Sequence, residues 1–161
     1  MIRRTRFLCA LFFFSVSALG KTVYSVEFDY HNIESPQVYF KGRTAAQLAR
    51  LCDGGDHATN DDLAQCSHQK FIQASQELER KLKAMREKLL RGDKSLMADG
   101  DPSASPYFGK AQSAWVEYRD NECYSETYAM GGAAERYIFF WECMANITES
   151  RTKEIGELLK Y

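Results

Sequence analysis

From Asn60 onward the apolar residues recur every three or four positions. Phe71, Ala74, Leu78, Leu82, Met85 and Leu89 make one stripe. That spacing predicts a helix over residues 60–91, capped by Thr59 or Asn60, favoured at its start by Asp61 and Asp62, and stopped by Gly92. Such a helix spans about 48 Å. An apolar face of that length needs other helices lying along it to be covered.

Two further segments fit that requirement. Residues 92–106, GDKSLMADGDPSASP, read as a solvated linker, and Ser105-Pro106 then supplies a cap followed by proline at the first helical position. The next helix carries Phe108, Ala111, Trp115 and Tyr118 on one face. After Gly131-Gly132 a third carries Tyr137, Phe140, Met144, Ile147, Arg151, Ile155 and Leu158. The expected fold is mainly α: an elongated antiparallel three-helix bundle. Upstream, TVYSVEFDY and QVYFK flank a turn at His31–Pro36, so residues 21–41 are expected to add a short β-hairpin-like extension. Thr44 to Leu51 is expected to form a short helix. The chain thus divides into a leader at 1–20, a β-rich extension at 21–50 and a helical domain at 51–161.

The leader is an address. Arg3, Arg4 and Arg6 precede an apolar run from Phe7 to Leu19, and Ala18-Leu19-Gly20 offers small residues for cleavage before Lys21. This is the pattern of a secretory signal peptide, and its apolar run is shorter than the roughly 20 residues of a spanning helix. Cys9 lies too early for a lipid-anchor cysteine, whose place is held by Lys21. A periplasmic or secreted location follows, with no membrane span after cleavage.

Export sets the chemistry of the four remaining cysteines, Cys52, Cys66, Cys123 and Cys143, an even number in an oxidising compartment. Cys123 and Cys143 lie equally far either side of Ala133, where a helical hairpin would turn, and Cys52 and Cys66 flank Thr59 in the same way. The expected disulfides are Cys52–Cys66 and Cys123–Cys143. The first closes a loop of about 15 residues, worth about 3 kcal/mol on chain-entropy grounds. His57 and His68 sit near Asp53, Asp56, Asp61 and Asp62, but without zinc-ligand spacing they read as a polar loop entering a helix. No metal and no cofactor are expected.

The whole chain has 21 basic and 22 acidic residues. Loss of residues 1–20 removes three arginines and no acid, leaving 18 against 22 and a formal charge of −4. That balance excludes a general nucleic-acid binder and favours a basic partner. No nucleophile elbow or triad signature appears, so no catalytic residue is proposed. Arg151 interrupts an apolar stripe, which demands a partner or an opening to solvent. Across the hairpin it stands level with Trp115, where a cation–π contact with Glu117 or Glu122 in reach is expected; the plainer alternative is a stem that snorkels. Trp115, Tyr118, Arg119, Asp120 and Arg151 are therefore the candidate partner-binding residues. The run Tyr137-Ile138-Phe139-Phe140-Trp141 covers more than one helical face, so part of it must meet the N-terminal segment or a partner.

Residues 111–123, AQSAWVEYRDNEC, resemble the AQ-x-AW-x-x-YRD-x-x-C signature of the lysozyme inhibitor LprI-like N-terminal domain family. Gly131-Gly132, Cys143 and Thr148-x-x-Arg151 look like its later landmarks, and Cys52 and Cys66 like the cysteine pair before its first helix. The resemblance implies an exported helical domain, not an enzyme, that binds a protein such as lysozyme. In that reading a side chain such as Arg119, or an exposed aromatic, enters the partner's carboxylate-lined cleft. The alternative is a structural or envelope-stress interaction module without an enzyme target.

Overall fold

The computed structural model describes residues 28–161, and every regular element among them is helical. The expected leader at 1–20 and residues 21–27 of the expected hairpin-like extension lie outside the described residues. The chain divides into two units, residues 1–31 and 32–161. Of the first, the described part is a short turn in which the Asp29 carboxylate accepts from the His31 backbone N–H at 3.0 Å. The second holds α1 (Pro36–Tyr39), α2 (Ala45–Gly54), α3 (Asn60–Ala98), α4 (Ser105–Ala129) and α5 (Arg136–Leu158).

The described part of the expected hairpin is helical instead. Residues 30–32 form a 3-10 turn, and Pro36 begins α1 at its first position, where its fixed φ suits a helix and its missing N–H is not needed. The aromatic residues that looked like strand formers serve a small core. Phe40 is buried with Leu51 and Cys66, and Tyr39, Leu48 and Ala58 pack around them. The Cys52–Cys66 disulfide, with Cα atoms 5.4 Å apart, fastens α2 to α3.

α2 and α3 both begin with reciprocal caps. The Thr44 hydroxyl accepts from the Gln47 N–H at 3.2 Å while the Gln47 side chain accepts from the Thr44 N–H at 2.7 Å. Thr59 and Asp62 repeat the arrangement at 3.1 and 3.0 Å. Tyr39 donates to the Asp62 carboxylate at 3.4 Å and Arg43 approaches it at 3.6 Å. Burial pushes the Asp62 carboxyl up, but the Thr59 hydrogen bonds and the Arg43 charge outweigh it and leave the group below its ordinary value.

Gly92 does not end α3, which continues as one helix of 39 residues, about 58 Å long. The reason is the next residue. Asp93 is buried, and its carboxylate accepts from the Ala104 N–H at 2.7 Å, the Ser105 N–H at 3.1 Å and the Ser105 hydroxyl. Those groups open α4, so a side chain on α3 does the work expected of Ser105 as a cap. These hydrogen bonds hold the Asp93 carboxyl below its usual range.

α5 lies along α3 in the same direction. His68 stacks on Trp141 near one end, and at the other the Lys88 ammonium donates to the Leu158 and Leu159 carbonyls at 3.1 and 3.3 Å, capping the C-terminus of α5. α4 runs the opposite way, joined to α5 by Cys123–Cys143 with Cα atoms 5.6 Å apart. Leu78, Leu82, Met85 and Ile155 form one buried cluster, flanked by Leu89, Phe108, Trp115 and Leu159. The turn at Gly131 needs glycine, with φ at 61°, and the buried Arg136 donates to the Gly131 carbonyl at 2.8 Å. Among the described residues no helix is long and apolar enough to cross a membrane.

Candidate functional site

Trp115 and Arg119 are four apart on α4 and so point the same way, towards α3. The Arg119 guanidinium lies 5.3 Å from the Trp115 ring and 5.2 Å from that of Phe71 on α3. Its Nε and Nη2 donate to the Asp120 Oδ1 at 2.9 and 2.7 Å. Only 8% of Arg119 is exposed. A guanidinium so placed is retained by its carboxylate and by the two aromatic faces. Arg119 therefore cannot enter a partner's cleft while it holds this position.

Arg151 approaches Trp115 from α5, its guanidinium 6.0 Å from the ring. The level predicted across the hairpin is thus the observed one, but the polar partners are others. Nε donates to Gln112 at 3.2 Å and Nη1 to Glu154 at 2.8 Å, in place of Glu117 or Glu122. Glu154 was legible as the residue three positions on along the same helix; Gln112 comes from α4 and was not. Trp115, Tyr118 and Arg151 meet at a groove of about 350 Å³, closed by Asn146, Ile147, Ser150 and Glu154. Tyr118 is 55% exposed at its lip. Of the five candidates, then, three line the groove, while Arg119 and Asp120 pair beside it and brace Trp115.

The chain between the end of the groove's α4 wall and its α5 wall is strongly acidic. Residues 117–149 contain seven acids and two bases. Both bases, Arg119 and Arg136, are buried, whereas Glu117, Glu122, Glu126, Glu135, Glu142 and Glu149 are exposed. Tyr118 and Phe139 add exposed aromatic surface. From the aromatic run, Phe140 and Trp141 are buried and Phe139, 49% exposed, faces solvent. Trp141 packs on His68 and Phe71 of α3.

The His68 ring is stacked on that of Trp141, nearly parallel to it with centroids 3.7 Å apart, and its Nδ1 has no hydrogen-bond partner among the described residues. Burial disfavours its cation and pushes the imidazole down to about 4. His57 is exposed in a left-handed conformation, with φ at 56°. Among the described residues no group of three or more His, Cys, Asp or Glu side chains is placed to hold a metal ion.

A larger cavity, about 660 Å³, lies between α1, α2 and α3 beside the Cys52–Cys66 bridge. Phe40 and Leu48 lie against it, and Lys41, Arg43 and Lys70 contribute cations. Its walls come from three elements, so no single stretch of sequence marked it.

The model of the family "Lysozyme inhibitor LprI" matches residues 52–155. An uncharacterized protein of Rhizobium meliloti strain 1021 is 31% identical over 105 residues, which cover 62% of this chain and 73% of that protein. No solved structure matches significantly.

Proposed function

The chain belongs to the LprI family of lysozyme inhibitors, and from that premise we propose that it is an exported, non-catalytic domain that binds and blocks a lysozyme-type muramidase through the outer surface of α4 and α5. The observation that carries the reading is the charge of the stretch 117–149: six exposed glutamates, with both cations of that stretch buried. A basic enzyme is drawn to such a face, which speeds encounter and excludes acidic partners. Tyr118 is the anchor, an exposed aromatic beside a groove built on Trp115 and Arg151. Arg119 and Asp120 are positioning residues that hold Trp115 in place. On this reading α3, α4 and α5 are a three-helix bundle whose task is to present that surface. The leader at residues 1–20 and the two disulfides support a periplasmic or secreted location.

The burial of Arg119 favours a second reading, in which the signature residues serve the core of an envelope interaction module without an enzyme target. One experiment separates the two. Turnover of cell-wall substrate by lysozyme is measured with a stoichiometric amount of the protein and of its Tyr118→Ala variant. The inhibitor reading expects turnover to fall with the wild type and recover with the variant. Undiminished turnover removes it.

A further inference from the structure

The exposed surface of α3 beyond residue 80 has no part in the site just described. Residues 80–94 hold seven basic and two acidic residues in about four helical turns. One of those acids, Asp93, is buried at the start of α4, and the other, Glu87, is exposed and outnumbered among the cations. Arg80 pairs with Glu77 and Arg86 with Glu79, and Lys88 caps α5. Among the described residues Lys81, Lys83, Arg91 and Lys94 make no ion pair, so their charge is not used within that part of the fold. Charge alone would fit any polyanion.

The apolar residues narrow the choice. Lys83, Leu90 and Met97 are seven apart and stand in one row of the helix, with Arg86 and Lys94 either side. Leu90 is 58% and Met97 67% exposed, both large apolar side chains facing solvent among cations. Leu90 also borders a groove of about 300 Å³ between α3 and α4, backed by Leu89 and Phe108. A nucleic acid or soluble polyanion has no use for an exposed leucine and methionine between lysines. A bilayer with anionic headgroups does: the cations meet the phosphates and the apolar side chains enter the acyl boundary.

We propose that this face of α3 docks the protein on an anionic lipid bilayer, lying on the membrane without crossing it. Clusters of four to eight Lys or Arg residues on one helix face act in this way. The α4/α5 surface carries the opposite charge, so it is not drawn to the same bilayer.

The test is co-sedimentation of the purified protein with vesicles of phosphatidylglycerol and phosphatidylcholine, or of phosphatidylcholine alone, at low and physiological salt. Wild type and variant carry the same residues 1–20, so their difference reports the α3 face. Binding is expected to the anionic vesicles and to weaken with salt. The Lys83→Gln, Arg91→Gln, Lys94→Gln variant is expected to bind roughly 100-fold more weakly, and Leu90→Ser, Met97→Ser also more weakly, both with unchanged melting curves because every position is exposed. Equal binding to both vesicle types, or a charge variant that binds like the wild type, overturns the proposal. Retention on heparin without vesicle binding overturns it in favour of a soluble polyanion. A concentration-dependent dimer lost with the same substitutions, again without vesicle binding, overturns it in favour of a second copy seated through its acidic face.

Discussion

Residues 117–149 carry a formal charge of −5 and residues 80–94 a formal charge of +5, and they reach those values by different means. In the first stretch both arginines are turned inward, one over Trp115 and Phe71, the other onto the α4–α5 turn. In the second the acids are the ones consumed or outnumbered, and free lysines remain outside. The net charge of −1 for the whole chain conceals this separation. What matters for recognition is which charges the fold uses internally, because a charge already matched inside contributes little to the field outside.

That comparison is sharpened first at the covalent tie of the acidic stretch. Cys123→Ser with Cys143→Ser removes a disulfide whose loop is worth about 3 kcal/mol. The expected fall in melting temperature is roughly 10 °C, and a calorimetric scan reads it. The two arginines at Trp115 come next. Arg119→Gln removes a buried cation and its pair with Asp120, at a cost of about 3 kcal/mol, whereas Arg151→Gln breaks a pair whose glutamate is 60% exposed and costs under about 1 kcal/mol. Equal losses in chemical denaturation would contradict the inward-facing role assigned to Arg119.

His68 gives a smaller, pH-dependent effect. In the folded protein it titrates at about 4, below its unfolded value of 6.5, so between those values the unfolded chain binds more protons. Its contribution is fully present above pH 6.5 and is lost as pH falls towards 4. The melting temperature of a His68→Gln variant is expected to depend less on pH across that window, and an unchanged slope would show that the buried imidazole is not its source. Smallest of all in stability is the acidic face itself. Glu122→Gln with Glu126→Gln leaves melting within about 0.5 kcal/mol, while slowing association with a basic partner at low salt.

Much of the architecture was legible because it rests on local periodicity. The stripe from Phe71 to Leu89 located α3, the glycines at 131–132 located the α4–α5 turn, and the even spacing of cysteines about each turn gave both disulfides. The errors came where a distant residue overrode a local signal. Gly92 looked like a stop until Asp93, reaching to α4, made continued helix useful. The aromatic residues near Pro36 read as strand, but their tertiary partners Leu51 and Cys66 lie on helices and bury Phe40 there. At the candidate site, composition pointed to Trp115, Tyr118 and Arg151 but gave no means of telling Arg119 apart. Tyr118 and Arg119 are adjacent in sequence, and only helix rotation puts one outside and the other in the core.

The most direct measurement is the affinity of the protein for lysozyme, by titration calorimetry, as salt is raised. The account predicts a stoichiometric complex that weakens with ionic strength, loses affinity in Tyr118→Ala, and is unaffected by Lys83→Gln on the opposite-charged face. Absence of heat at low salt, or a complex indifferent to salt and to Tyr118, would contradict it.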